Sequence, residues 1–203
     1  MGCDRPAPGL KPHAAGLTAG PHRMTKPELS SAASRLCAAC GMCCNGVMFD
    51  LVRLQPGDST RALVMLGLKV KRKRGQSHIV QPCTAHCESQ CSIYAARPER
   101  CRVFECRQLQ RVAAGEISET MALEKIGEAV QLVAEISALL LRVGGTNANR
   151  ALSQRCETAK AEPLDPSADA AAVETRNRIV CAKRELDALL DQEFRVVSIG
   201  SAG

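Results

Sequence analysis

Tryptophan is absent from this chain, and its aromatic complement stops at Phe49, Tyr94, Phe104 and Phe194. Large aromatic side chains normally supply much of a core's buried apolar area, so this core must rely on Leu, Val, Ile and Ala, or on cross-links of another kind. Long apolar runs are missing too. The most apolar stretch, Val130 to Val143, is interrupted by Gln131, Glu135 and Arg142 and is too short to span a bilayer. Met1 to about Arg23 is rich in Pro, Gly, Ala and His, with neither a signal-type apolar segment nor a helical period, and reads as a disordered tail. Met1-Gly2-Cys3 is followed by Pro6 where myristoylation needs Ser or Thr, and no lipoprotein signal precedes Cys3. These absences predict a cytoplasmic, reducing location. No Walker loop, GxGxxG motif, nucleophile elbow or glycine loop for S-adenosylmethionine occurs, which removes the commonest nucleotide-dependent and hydrolytic chemistries.

What the chain has is cysteine. Nine of its twelve cysteines fall between Cys37 and Cys106, beginning with Cys37-Ala-Ala-Cys40-Gly-Met-Cys43-Cys44. Cysteines two apart in a tight, glycine-containing turn can aim both thiolates at one ion, as in zinc knuckles and iron–sulfur loops. The second group is Cys83, Cys87, Cys91, Cys101 and Cys106. A disulfide framework suits small exported domains, so a metal site is the better reading of this density. A structural zinc supplies roughly 10–16 kcal/mol of apparent binding energy, comparable to the net stability of a whole domain, so the cysteines are expected to nucleate the fold.

Spacing constrains the geometry further. Pro98 fits the first turn of a helix carrying Cys101, anchored by Val103 and Phe104. Cys101 and Cys106 would stand about 140° apart on one helix, so the spacing implies either two sites or a helix break between them. The side chains of Cys43 and Cys44 must diverge: one ligates a first ion, while the other ligates a second or merely packs. His86 lies between Cys83 and Cys87 and is expected to be exposed rather than a ligand. Cys37-x2-Cys40-x2-Cys43 matches the start of a ferredoxin run, but Cys44 follows at once where that motif continues with three residues and Cys-Pro. Cys83, Cys87 and Cys91 lack the uneven spacing of a radical-SAM triplet. Tetrahedral thiolates accept zinc or iron; zinc suits a structural role, with an iron–sulfur cluster as the other possibility.

The pattern Cys37-x2-Cys40-Gly41-x-Cys43-Cys44, followed by Cys91-Ser-Ile-Tyr94 and Arg97-Pro98-x2-Cys101-Arg102-x-Phe104, resembles the CxxCxxCC cysteine-cluster family, a zinc- or iron-chelating domain. The resemblance covers roughly residues 35 to 110. It implies metal ligation by Cys37, Cys40, Cys43, Cys44, Cys83, Cys91 and Cys101, and Cys87 and Cys106 complete the candidate set. The family includes flagellin lysine N-methylases. The resemblance therefore also leaves open an enzyme, either a protein lysine N-methylase or an iron–sulfur redox protein.

The formal net charge of +6 is partly compensation for thiolates, since Arg97, Arg100, Arg102 and Arg107 are interleaved with Cys101 and Cys106. The five cations of Lys69 to Arg74 lack interleaved aromatics for base stacking and read as a solvated strand, not a nucleic-acid signal.

The remaining elements follow local rules. Thr25 to Leu36 is a predicted helix with Pro27 near its start, Gly46 to Leu54 a predicted strand, and Gln55-Pro-Gly-Asp58 a turn. Ser59 caps a short helix to about Leu66. Lys69 to Gln81 forms a hairpin about Gly75-Gln76, returning the chain towards the first cysteines. Gly115 and Ser118 precede a helix with an apolar face of Ile126, Val130, Val133, Ile136, Leu140 and Val143, stopped by Gly144-Gly145. Asn147 caps a helix to about Lys160, Pro163 and Pro166 break the chain, and Ala170 to Phe194 carries Val173, Ile179, Ala182, Leu186 and Leu190. These stripes pack on the cysteine domain or on one another, or pair with a second chain or a target protein. Cys156 and Cys181 are ordinary thiols.

The predicted fold is α+β: a small metal-nucleated cysteine-cluster domain with short strands and a helical C-terminal extension. Its divisions are a tail (1–23), the cysteine domain (24–112), a packing helix (113–145) and the extension (146–203).

Overall fold

Glu28 accepts hydrogen bonds from both the Thr25 N–H (2.8 Å) and the Thr25 hydroxyl (2.7 Å), fixing the start of the first helix just before Pro27. The computed structural model describes residues 24–145, 147–161 and 170–196. The predicted tail and the break at Pro163 and Pro166 lie outside these residues. Helix α1 (Lys26–Cys40) ends at Gly41, whose φ of 60° suits glycine and whose N–H reaches the Cys37 carbonyl at 2.9 Å. This helix runs a turn beyond the predicted end at Leu36. Cys37 and Cys40 therefore sit on one face of its last turn rather than in a loop.

After the cysteine run come β1 (Leu51–Arg53), α2 (Thr60–Met65), β2 (Val70–Lys73) and β3 (Gln76–Val80), then the two-residue strands β4 (His86–Cys87) and β5 (Gln90–Cys91). Helices α3 (Glu99–Val103), α4 (Arg107–Ala113), α5 (Glu119–Arg142), α6 (Leu152–Ala161) and α7 (Ala170–Glu193) complete the chain, giving the α+β class. β3 lies between β1 and β2 in an antiparallel sheet, with Val52 and Val70 both opposite Ile79. Ser59 caps α2 by accepting the Ala62 N–H at 3.2 Å, as its position predicts. The β2–β3 hairpin turns at Arg74 and Gly75, both at positive φ. Behind the sheet, Leu54, Leu63, Leu68, Ile79 and Ala85 form a small core.

The predicted strand from Gly46 is shorter than expected, because Gly46 to Asp50 is a loop pinned at several points. Asn45 Oδ1 accepts the Val47 N–H at 3.1 Å, and the Met48 N–H bonds the Met42 carbonyl at 3.0 Å. From the far end of the chain, the Leu152 N–H reaches the Gly46 carbonyl at 2.9 Å and the Ser153 hydroxyl donates to Asp50 at 2.5 Å. Val47 and Met48 are both buried, which the alternation of a half-exposed strand does not allow.

The helical core is continuous with the cysteine region. Leu36, Met42 and Met48 pack in one cluster with Leu109, Val112, Ile126, Ile136 and Leu140, and with Ile179, Leu186, Leu190 and Phe194 of the C-terminal segment. Helix α5 starts under a Ser118 cap, the hydroxyl accepting the Met121 N–H at 3.1 Å, and it packs against both α1 and α7. Its buried stripe is rotated from the predicted one: Ala122, Ala129 and Leu139 are buried, whereas Val130 is 40% exposed. The small alanines let neighbouring helices approach closely, so they take the inward face that hydrophobicity alone gave to valine. Val173 likewise lies outside the buried stripe of α7. Helix α6 begins at Leu152 rather than near Asn147, which instead forms a local turn by accepting the Asn149 N–H. No helix among the described residues is long and apolar enough to cross a membrane.

Candidate metal centre

Three backbone devices bring the two cysteine motifs together. The α1 cap at Gly41 turns the chain so that Cys43 and Cys44 follow directly on Cys37 and Cys40. The Cys83 N–H then donates to the Cys44 carbonyl at 2.8 Å, fastening the second motif to the first. Finally, Phe104 packs edge-on against Phe49 with ring centroids 5.2 Å apart, holding the segment between Cys101 and Cys106. The predicted helix break is present. Helix α3 ends at Val103, Phe104 is extended, and Cys106 stands at the N-cap of α4. Val103 does not anchor α3 as predicted, because it is 63% exposed.

The electrostatics of the thiols divide them into two sets. Burial is the main cause of every shift and raises each pKa. Beyond it, Cys37 is raised by Cys106, Cys40 by Cys106 and Cys37, and Cys43 by Cys40 and Cys106 ahead of Cys44. Cys44 is raised by Cys83, Cys101 and Cys91 ahead of Cys37, while Cys101 is raised by Cys83 and Cys91, and Cys83 by Cys91. Mutual repulsion of this kind needs proximity. The repulsion thus runs mainly within two sets, Cys37, Cys40, Cys43 and Cys106 in one and Cys44, Cys83, Cys91 and Cys101 in the other, with smaller effects of Cys44 on Cys43 and of Cys37 on Cys44 across them. The adjacent residues Cys43 and Cys44 belong to different sets, as the divergence of neighbouring side chains requires. Cys87 is exposed.

Burial and crowding push Cys40 and Cys44 up to about 12 and Cys101 up to about 11. Several groups work in the opposite direction. Backbone N–H groups favour the thiolates of Cys40 (from Met42), Cys83 (from Ala85 and His86) and Cys106 (from Leu109 and Gln108), although none forms a capping hydrogen bond at Cys106. Arg97 favours the thiolates of both Cys37 and Cys101, one in each set. Its guanidinium lies 3.7 Å from the Tyr94 ring centroid, and its Nε donates to the Tyr94 carbonyl at 3.2 Å. One cation is thereby held where it serves both quartets.

Among the described residues all eleven cysteines are free thiols, and no three Cys, His, Asp or Glu side chains are drawn together tightly enough to hold an ion as they stand. The donor chemistry nevertheless fits a soft ion: four sulfurs in each set, with backbone N–H groups turned on the sulfurs. His86 departs from expectation. It is half-buried rather than exposed, its Nε2 is fully buried, and burial lowers its pKa. The sequence signal that could have located it is Gly41, where any Cβ would stand 3.1 Å from His86 Nε2. Cys156 is buried in the helical core and Cys181 is exposed on α7.

No curated protein and no solved structure matches the chain. A family model does match, over residues 36–125, a stretch that holds both quartets and every turn that assembles them. Over residues 36–125 the chain is thus similar to the CxxCxxCC family, described as a "putative zinc- or iron-chelating domain".

Proposed function

We propose that this protein binds two metal centres, one through Cys37, Cys40, Cys43 and Cys106 and the other through Cys44, Cys83, Cys91 and Cys101, and that these centres organise the fold. The observation that carries the reading is the partition of Cys43 and Cys44 between two four-sulfur sets. A closed set of four thiolates leaves no open coordination position, which is the pattern of structural rather than catalytic zinc. Each centre would tie distant segments together: the first joins α1 to the start of α4, the second joins the cysteine loop to β5 and α3. A chain with so few aromatics gains most from such ties. Zinc is the favoured ion, and a cytoplasmic, reducing setting suits eleven free thiols.

A second reading is an iron–sulfur electron carrier. It is favoured by the N–H groups turned on Cys40, Cys83 and Cys106, since hydrogen bonds to sulfur tune cluster potentials. Metal analysis with an ultraviolet–visible spectrum on protein purified without air separates the two. Two zinc ions in a colourless protein support the structural reading. Iron with sulfide and a broad absorption band supports the redox reading, and protein that retains no metal and takes up none overturns both.

A further inference from the structure

His86 joins the two cysteine sets. Its backbone pairs with Cys91 across the β4–β5 ladder, while its ring lies beside Gly41, the residue that follows Cys40. The space is tight: a Cβ at Gly41 would stand 3.1 Å from His86 Nε2 and 3.3 Å from Cε1, so only glycine lets the ring approach. Nε2 is buried and has no hydrogen-bond partner among the described residues. Leaving a buried ring nitrogen in that state is unfavourable, so it calls for a partner.

The nearby backbone and amide acceptors are already engaged. The Gly41 carbonyl accepts the N–H groups of Cys44 (2.8 Å) and Asn45 (2.9 Å), and the Met42 carbonyl accepts that of Met48 (3.0 Å). Asn45 Oδ1 accepts the Val47 N–H at 3.1 Å. Beside these oxygens the loop offers the sulfurs of Cys40, Cys43 and Cys44, which are acceptors once ionised. We propose that His86 is a positioning residue of the metal centre, its Nε2–H donating to a thiolate sulfur of the Cys40–Cys44 loop once that loop holds its ion. This rests on the metal-binding reading above and extends it from the ligands to a residue behind them, where such partners orient ligands and slow metal loss.

Cobalt(II) is the probe. Wild type, His86→Gln and His86→Ala are loaded with it, and the ligand-field spectrum and the rate of removal by a chelator are measured. His86→Ala is expected to hold one ion roughly 10–100-fold more weakly, the usual cost of losing such a partner, with band positions unchanged because every ligand remains. His86→Gln, whose side-chain N–H can still donate, should release cobalt at close to the wild-type rate. Equal release by all three proteins would overturn the inference, and so would a His86→Ala spectrum showing that a nitrogen ligand had gone. An independent reading needs no variant: nitrogen NMR of zinc-loaded wild type should show the His86 ring protonated at Nε2, and a bare Nε2 overturns the inference. A wild-type protein that binds no cobalt sinks the metal-binding reading itself, and the role of His86 with it.

Discussion

The N–H of Cys83 donates to the carbonyl of Cys44 at 2.8 Å, so the second cysteine motif is fastened to the last residue of the first. This single bond puts Cys44 with Cys83, while Cys43, one residue earlier, keeps company with Cys37, Cys40 and Cys106. The partition leads to a direct test. Cys43→Ser should reduce the bound metal from two centres to one, Cys44→Ser should do the same at the other centre, and the double variant should hold none. Metal content per chain checks this, and loss of both centres in either single variant would argue for one shared site.

Gly46 has a φ of 81°, and a Cβ there would stand 3.0 Å from the Ala151 backbone and 3.2 Å from the Pro82 ring. Neither neighbour is a flexible side chain that can move aside. Gly46→Ala is therefore expected to destabilise the protein by at least about 1–2 kcal/mol, the cost of a non-glycine residue in the left-handed region alone. Urea denaturation of the two proteins under identical metal conditions measures the difference.

Phe194 is fully buried just beyond α7, and its carbonyl accepts the Arg107 N–H at 3.0 Å at the start of α4. The C-terminal segment thus supports the helix that begins at Cys106. Phe194→Ala should cost about 3–5 kcal/mol, as for other buried phenylalanines, read as a lower urea midpoint with an unchanged slope. A change below 1 kcal/mol would mean that the site collapses around the missing ring.

The Arg35 guanidinium grips the Glu119 carboxylate at 2.6 and 2.7 Å, tying α1 to the first turn of α5. That hydrogen bond, aided by the positive charge, holds Glu119 below its ordinary value. A carboxylate whose folded pKa is depressed contributes stability that is fully present above its unfolded value, near 4.3, and lost as pH falls through the lower folded value. Arg35→Ala should therefore melt slightly lower than wild type at pH 7, with the gap closing as pH falls below about 4. Thermal melts across that range check it. The effect should be small, because the Arg35 side chain is about half exposed and Glu119 keeps part of its surface in water.

Several elements were legible in the sequence because their causes are local. Pro27, Ser59, Ser118 and Gly75 each marked a helix start or a turn that the structure shows, since capping and positive φ involve only neighbouring residues. Helical geometry offered a break between Cys101 and Cys106 as one of two alternatives, and the structure has the break. The loop from Gly46 to Asp50 was not legible, because its hydrogen bonds come from Met42 and from Leu152 and Ser153 at the far end of the chain. Nor was the inward face of α5: valine outranks alanine in hydrophobicity, but Ala122 and Ala129 take the buried positions because the packed helices leave no room for larger side chains.

By itself, the sequence determined the chemistry of the site. The residue types and spacings name sulfur as the donor and the Cys37-to-Cys106 region as its place, because ligand identity is a property of side chains. Only the tertiary structure decided which sulfurs stand together. Cys106 comes towards Cys37 because α4 packs on α1, Cys83 meets Cys44 because a hairpin returns the chain, and the His86 ring lies beside Gly41 because a glycine leaves the space. The grouping of these eight thiols depends on contacts between residues far apart in the chain, and such contacts are fixed by packing, which no local spacing encodes.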